Sequence, residues 1–162
     1  MDCSICRWRL GSKFKKLVEY KELSNLYIDL SEDILKNIKF DKSSKDNQNQ
    51  LIFFSCIENS LDCEANYIYR TINSDIESIH EFNFDYKWIK LMQIEVIKNI
   101  IKNKLFDDGL ISAISDSKKR IFSTTDTNII SSNKSNDLKK FTLILSKYKS
   151  FNELIRKTLD EC

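Results

Sequence analysis

The chain contains no proline and only two glycines among its 162 residues. Proline breaks a helix and glycine loosens one, so very little in this backbone forces a helix to stop. Apolar residues also recur at spacings of three and four along most of the length, which is the period of an amphipathic helix. The sequence therefore predicts an all-α fold, a single-domain bundle of five to seven helices that spans residues 1–162.

The apolar repeat divides the chain into six predicted helices. They cover about residues 4–20, 21–40, 50–80, 86–106, 110–122 and 137–160, with polar loops near 41–49 and 123–136. In the second helix one stripe is predicted to face the core. That stripe consists of Leu23, Leu26, Tyr27, Leu30, Ile34, Leu35 and Ile38.

The predicted helix over 50–80 carries a longer stripe, whose spacing is close to the seam period of a coiled coil. Its members are Leu51, Phe54, Ile57, Leu61, Ala65, Ile68, Ile72, Ile76 and Ile79. One long helix is the direct interpretation of this stripe. A break near residues 73–75, where polar side chains could cap a new helix start, stays open as the alternative.

Apolar side chains cover nearly the whole circumference of the predicted helix near residues 86–106. A helix of this kind belongs in the middle of a bundle, so we expect it to be the central helix. Asp85 is the predicted N-cap of this helix, and Gly109 is its predicted C-terminal stop.

The chain has five cysteines, which is an odd number for a fully paired secreted framework. Reduced thiols and the lack of a signal-peptide or membrane-spanning apolar run predict a cytoplasmic protein with no membrane span. The alternative is a secreted mature chain, with which a glycosylation sequon at Asn133 would agree.

Cys3 and Cys6 form a C-x-x-C pair that could supply half of a zinc site. The remaining ligands would have to come from Cys56, Cys63 or His80, and the spacing of these two cysteines does not match a second knuckle. Ordinary thiols explain the cysteines better, so no metal site is predicted.

No catalytic motif is recognisable. The chain lacks a glycine-rich phosphate loop, a nucleophile elbow, a zinc-protease motif and a calcium loop. His80 is the only histidine, and it lies roughly 25 Å along a continuous helix from Cys63. We therefore predict a non-enzymatic protein with no catalytic residue and no cofactor.

Charge is unevenly distributed along the chain. Residues 50–85 contain seven acidic side chains and one basic side chain, whereas the flanking segments are basic. Glu58, Asp62 and Glu64 on the long acidic helix are predicted to bind a protein partner. The alternative interpretation is that acidic and basic helices face each other inside the fold.

Three aromatic residues lie at the predicted turn before residue 86. Phe82, Phe84 and Tyr86 are candidate partner-binding anchors, because aromatic side chains at a turn are hard to bury together. They could equally cap the end of the bundle.

A basic cluster surrounds Trp8 near the N-terminus. Arginine and lysine side chains bind phosphates, and an exposed aromatic ring can stack on a base. Nucleic-acid binding is therefore retained as a less favoured alternative to a protein partner.

Residues Lys104–Leu110 (KLFDDGL) resemble the opening of the BH1 motif of the Bcl-2 family. The continuation of that motif is replaced by Ile111–Ile114. The order of helices, with the most apolar one late in the chain, is similar to the motif-poor Bcl-2-like bundles of viruses. This similarity of helix order implies a bundle fold and no more.

Trp88 and residues 95–99 are similar to the last helix of type I interferons, although here about 60 residues follow them. Neither resemblance assigns a family.

The sequence predicts a helical bundle that acts by protein–protein contact, through a groove or an exposed helix face, of the kind that viral or pathogen modulators of host proteins use. A secreted cytokine-like ligand is the first alternative and a nucleic-acid binder is the second. The partner is of unknown identity, and the sequence also allows a homodimer.

Overall fold

The computed structural model describes the backbone of residues 4–72, 83–123 and 134–161 and the side chains of 18–72, 83–122 and 136–161. These residues form only helices and the turns between them, so the predicted all-α bundle is confirmed. The α-helices are α1 (Ser4–Asn37), α2 (Ser44–Thr71), α3 (Phe84–Leu91), α4 (Glu95–Ile101), α5 (Leu110–Ser123) and α6 (Lys134–Asp160). A π-helical segment, Lys102–Phe106, continues α4.

Helix α1 is continuous from Ser4 to Asn37, so the predicted division into two helices near residue 20 is wrong. No proline or glycine lies at the predicted boundary, where Tyr20 is followed by Lys21. Without such a residue the backbone hydrogen bonds of a helix run on, because each added residue contributes one bond at little further cost. Gly11 lies within the helix and does not end it.

The core-facing side of α1 differs from the predicted stripe. Leu26 and Leu30 are 59% and 44% exposed, whereas Ser24 and Ser31 are fully buried. The buried positions among the described side chains of α1 are Ser24, Ile28 and Ser31, which follow a helical spacing of four and three. This row continues into two residues of the predicted stripe, Leu35, which is half-buried, and Ile38, which is buried just past the end of the helix. Small serine side chains on this face allow α1 to approach α2 closely, since the distance between helix axes depends on the side chains in contact.

The loop between α1 and α2 is shorter than the predicted 41–49, because α2 begins at Ser44 and not near residue 50. Ser43 is the N-cap, and its hydroxyl accepts a hydrogen bond from the Asp46 backbone N–H at 3.1 Å. The carboxylate of Asp46, which is buried, accepts bonds from the Lys39 N–H at 2.6 Å and from the Gln50 amide at 2.8 Å. Polar residues here begin a helix because their side chains satisfy its free N–H groups.

Helix α2 buries the predicted stripe: Phe54, Ile57, Leu61, Ala65 and Ile68 have no exposed surface. The helix ends at Thr71, before the predicted end near residue 80. The rest of the predicted helix, with Ile76 and Ile79, lies outside the described residues.

The predicted central helix near 86–106 is divided into α3, α4 and the π-helical segment. Asn83, rather than the predicted Asp85, caps α3, because the Asn83 side chain accepts the Tyr86 N–H at 3.1 Å. Ile94 has an extended backbone and separates α3 from α4. This bend leaves Ile89 and Val96 exposed, while the fully buried side chains of the segment face one core: Trp88, Leu91, Ile97, Ile101 and Leu105.

Cross-helix contacts fix the directions of the three longest helices. Tyr20 lies under Arg70 and Ser24 contacts Ser60, so α1 and α2 are antiparallel. Tyr148 contacts Ser60, and Arg156 binds Glu64, so α6 runs parallel to α2. Helices α1, α2 and α6 thus enclose one side of the core, whose apolar residues form a single cluster.

Two residues, Asp108 and Gly109, end the π-helical segment before α5, and each does so for a different structural reason. Asp108 adopts the left-handed conformation, with φ 54°, which the sequence would assign to Gly109. Gly109 is required for a different reason: an added Cβ would lie 2.5 Å from the Lys104 carbonyl oxygen and 2.6 Å from the Leu105 carbonyl carbon. Both are backbone atoms, which cannot rotate away as a side chain can.

We expect Gly109→Ala to lower the free energy of unfolding by about 1–3 kcal/mol, because the new methyl group has to displace the preceding backbone. Urea denaturation followed by circular dichroism measures this change. Ser112→Ala in the first turn of α5 is the matched control and should change stability by less than about 0.5 kcal/mol. Equal stability of the Gly109→Ala variant and the wild type would contradict the assigned close approach.

Candidate partner-binding groove

The acidic side chains of α2 that were predicted to bind a partner lie in ion pairs within the bundle. The pairs are Glu58–Lys118 at 2.8 Å, Asp62–Lys87 at 2.7 Å and Glu64–Arg156 at 2.5 Å. Each cation comes from a different helix, namely α5, α3 and α6. This placement favours the alternative interpretation of the charge pattern, in which acidic and basic helices face each other.

The Glu64–Arg156 pair is the most buried acidic contact of α2. The Glu64 side chain is fully buried, and its two oxygens accept bonds from Arg156 Nε at 2.8 Å and Nη2 at 2.5 Å. Burial opposes the charged form of Arg156, but the hydrogen bond and charge of Glu64 outweigh burial and raise the pKa of the guanidinium. Arg156 also donates to Asn25 Oδ1 at 3.1 Å, so it links α6 to both α2 and α1.

A cluster of three buried hydroxyl groups lies beside this ion pair. Ser60 Oγ is 2.6 Å from Tyr148 OH and 2.9 Å from Ser24 Oγ, and it donates to the Ser24 carbonyl at 2.7 Å. Burial, and secondarily the charge of Glu64, raises the pKa of Tyr148, so this phenol keeps its proton. The cluster joins one residue each from α1, α2 and α6 in a fixed register, because any sliding would leave buried hydroxyls unpaired.

Beside the hydroxyl cluster, residues of α1 and α6 line a groove of about 660 Å³. Its floor includes Ile28, Tyr148 and Asn152, and charged side chains of both helices form its rim. The Lys149–Glu32 ion pair joins the two helices beside Asp29. A volume of this size is typical of ligand-binding clefts. The side chains at the rim are mainly charged, whereas most of the exposed surface that lines the groove is apolar.

The charged groups that line the groove have a negative balance. The described lining residues include four carboxylates and three cations, and two of these cations, Lys149 and Arg156, are neutralised by Glu32 and Glu64. Asp29, Glu153 and Asp160 form no ion pair with any described residue. Uncompensated charges of one sign attract ligands of the opposite sign to a cleft.

One buried group in the floor has an unused hydrogen-bonding position. Asn152 is 8% exposed, and its Oδ1 atom accepts no hydrogen bond from any described residue. Buried polar atoms without a partner are uncommon and costly. A donor that entered the groove could satisfy the amide after rotation of the side chain.

The structure describes two of the three predicted aromatic anchors, Phe84 and Tyr86. Phe84 is half-buried and packs against the core, so it belongs to the end of the bundle. Tyr86 is 46% exposed, and the ammonium of Lys90 lies 5.2 Å from the centre of its ring. Phe82 lies outside the described residues.

Cys56 and Cys63 are buried free thiols on one side of α2. Cys63 lies seven positions after Cys56, which is roughly 10 Å along the helix, so the two thiols cannot form a disulfide with each other. Burial, followed by the charge of Asp62, raises the pKa of Cys63 to about 11, and burial raises that of Cys56. Protonated, buried thiols are poor nucleophiles and poor metal ligands.

Within the described residues no cluster of histidine, cysteine, aspartate and glutamate could hold a metal ion. The other candidates for zinc binding and catalysis lie outside the described part, namely Cys3, His80 and the side chain of Cys6. The side chain of Trp8 and its basic neighbours up to Lys16 also lie outside it, so nucleic-acid binding stays a prediction.

The comparisons with family models, with curated proteins and with solved structures find no match to this chain. Over the part of the chain that the structure describes, none of the helices combines the length and apolar character needed to cross a membrane.

Sequence reasoning missed the groove because its residues are ordinary polar side chains on the outer parts of two predicted amphipathic helices. A usable signal did exist in α1. Ser24, Ile28, Ser31, Leu35 and Ile38 follow a regular spacing of four and three, and a serine at such a position indicates close helix packing. Arg156 gave no comparable signal, because its partner Glu64 is distant in sequence.

We expect Glu64→Gln to lower the free energy of unfolding by about 3 kcal/mol, because it leaves the guanidinium of Arg156 half-buried without its counter-charge. Urea denaturation measures the loss. The double variant Glu64→Leu/Arg156→Met should recover most of it, since well-packed apolar residues often replace a buried ion pair without loss.

The control for this series is Glu95→Gln, because Glu95 forms an exposed ion pair with Lys98. Exposed pairs contribute little, so this variant should lose less than about 1 kcal/mol. A loss at Glu64 no greater than that at Glu95 would show that the buried pair does not hold α6 to α2.

We also expect the stability of the fold to decrease between pH 9 and pH 11. An unfolded cysteine loses its proton near pH 9.0, whereas the folded chain keeps that of Cys63 up to about pH 11. The folded state therefore binds more protons over this interval, and its free energy of unfolding falls with rising pH, by up to about 1.4 kcal/mol per pH unit for one such group.

Urea denaturation at pH 8, 9, 10 and 11 tests this dependence. Cys63→Ala should flatten the decrease, whereas Ser55→Ala on the exposed side of α2 should keep the wild-type slope. The same slope in the wild type and Cys63→Ala would mean that this thiol does not contribute.

Proposed function

We propose that this protein acts without catalysis, by binding a basic segment of another protein in the groove between α1 and α6. The observation that carries the proposal is the negative groove itself, in which Asp29, Glu153 and Asp160 have no described counter-charge. Lysine and arginine side chains of a partner would supply the missing cations. The charge complementarity would raise the association rate and select against acidic partners.

Two features of the floor support a polypeptide as the occupant. Asn25 and Asn152 each present a side-chain amide in the groove, and Asn152 has an unused acceptor. Amides pair well with the N–H and C=O groups of a peptide backbone, because each carries both a donor and an acceptor. The groove lies between two helices that run in opposite directions, α1 and α6, and such a groove suits an elongated ligand.

The proposal includes a reducing, cytoplasmic setting for this interaction. The free thiols of Cys56 and Cys63 support it, because each is buried on α2 and neither can pair with the other. The proposal that the partner is a host protein, bound by a viral or pathogen modulator, rests on the similarity of helix order alone.

The test is affinity capture from source cells with three baits: the wild type, the groove variant Asp29→Lys/Glu153→Lys, and the control Glu95→Lys. All substituted residues are exposed, so the three baits should fold alike. We expect at least one stoichiometric protein to bind the wild type and the control and to lose at least about 90% of its recovery on the groove variant. Hydrogen exchange on the purified complex should then protect residues 25–29 and 149–160.

Nuclease treatment of the lysate separates this proposal from nucleic-acid binding. Recovery of only RNA or DNA, or equal capture of every protein by the wild type and the groove variant, would contradict the proposed function.

A further inference from the structure

A second, smaller cavity lies on another part of the bundle, between the α1–α2 loop, α5 and the start of α6. Its volume is about 90 Å³, several times the roughly 10–15 Å³ that one water molecule needs. Phe40, Ile121 and Phe141 are among its lining residues, and these three side chains are buried in the core. None of its lining residues belongs to the α1–α6 groove.

The aromatic part of this cavity is held rigidly. The rings of Phe40 and Phe141 meet edge to face with centres 5.2 Å apart, and Phe141 also packs against Phe53 and Phe54 at 5.0 and 4.8 Å. Fixed rings offer apolar contact without the entropic cost of ordering them when a ligand binds.

The loop that supplies one wall has an unusual backbone. Phe40 and Lys42 both have positive φ angles, 53° and 62°, and neither is a glycine. The left-handed conformation costs roughly 1–2 kcal/mol for such residues. It persists here because the buried carboxylate of Asp46 binds the Lys39 N–H at 2.6 Å and anchors the loop. The strained loop places the Phe40 ring and Lys42 on the same cavity.

The charge of this cavity is positive, in contrast to that of the groove. Among the described residues, Lys42 and Lys140 line it together with one carboxylate, Asp137, and with Arg120, which has an interaction of its own. Lys140 and Asp137 are 3.6 Å apart, and Lys42 forms no ion pair with any described residue. Asn47 and Gln50 add side-chain amide N–H groups that can bind an anionic oxygen, one N–H of Gln50 being already donated to Asp46. The hydroxyl of Ser117 also lines the cavity, but it donates its proton to the Ala113 carbonyl at 2.8 Å.

We infer that this cavity binds a small organic anion, with a phosphate or carboxylate group at Lys42 and Lys140 and an apolar part on Phe40 and Phe141. An apolar floor with a few convergent polar groups is the usual construction of a small-molecule site. Lysine is a common phosphate-binding residue because its ammonium is a compact charge on a flexible stem. The inference does not depend on the proposed protein interaction, since the two sites share no residue.

The test is a titration of the full chain, labelled with ¹⁵N, with phenyl phosphate, followed by amide chemical shifts and calorimetry. Phenol is the neutral analogue, and inorganic phosphate is the anion without the ring. We expect saturable binding of phenyl phosphate, with shifts in residues 40–50, 117–121 and 137–141. Phenol and inorganic phosphate should each bind at least about tenfold more weakly, because each lacks one half of the interaction.

Two variants address the charge and the volume separately. Lys42→Gln/Lys140→Gln removes two exposed cations, and Ser117→Phe fills the cavity while keeping them. Each should weaken phenyl phosphate binding at least about tenfold, whereas the control Lys98→Gln should bind as the wild type does. Circular dichroism of each variant confirms that it is folded.

A further arm distinguishes a soluble ligand from a lipid headgroup. Flotation with phosphatidylcholine vesicles, with and without phosphatidic acid, would show binding that depends on Lys42 and Lys140 if the anion is a lipid. Soluble phenyl phosphate binding without flotation assigns a free metabolite. No saturable binding in either arm, or equal binding by the wild type and the lysine double variant, would overturn the inference.

Discussion

The arrangement of this bundle depends on carboxylates of α2 that are withdrawn from water and have to be neutralised. A buried carboxylate without a counter-charge or hydrogen-bond donors costs several kcal/mol. Asp46 is satisfied by N–H groups, whereas Glu58, Asp62 and Glu64 each require a cation at a defined height. Three different helices supply one cation each, through the pairs Glu58–Lys118, Asp62–Lys87 and Glu64–Arg156. Helix α2 therefore fixes where α3, α5 and α6 can lie through these ion pairs. It also contributes many of the fully buried apolar side chains of the core.

The hydroxyl cluster of Ser24, Ser60 and Tyr148 acts on the same helices in a complementary way. The ion pair of Arg156 sets the height of α6, and the cluster sets the rotation and close approach of α1. Because α1 meets α2 through serines, its larger leucines, Leu26 and Leu30, are displaced to the surface. The separation of α1 from α6 that creates the groove follows from this choice of face.

Most of the fold could be predicted from the sequence, and the exceptions have identifiable causes. Helices α2, α5 and α6 were recognisable because their apolar side chains alone decide which side is buried. The buried face of α1 could not be predicted, since two stripes with the same period compete there. The stripe with serines is buried, and its Ser24 hydroxyl contacts Ser60 and Tyr148 on distant helices. The bend at Ile94 and the cap at Asn83 depend on tertiary packing and on a single hydrogen bond, which the apolar period does not encode. The groove and the smaller cavity escaped prediction because their residues meet only when α6 folds back beside the first two helices.

The buried ion pairs of the bundle and the exposed carboxylates of the groove should respond differently to salt. Dissolved ions screen charges at the surface over about 8 Å at physiological strength, but they scarcely reach a pair such as Glu64–Arg156, whose carboxylate has no exposed surface. The carboxylates on the rim of the groove are fully accessible to the same ions. If a basic segment binds in the groove as proposed, concentrated salt would release it while the helices remain folded, so the complex would be reversible without unfolding of the chain.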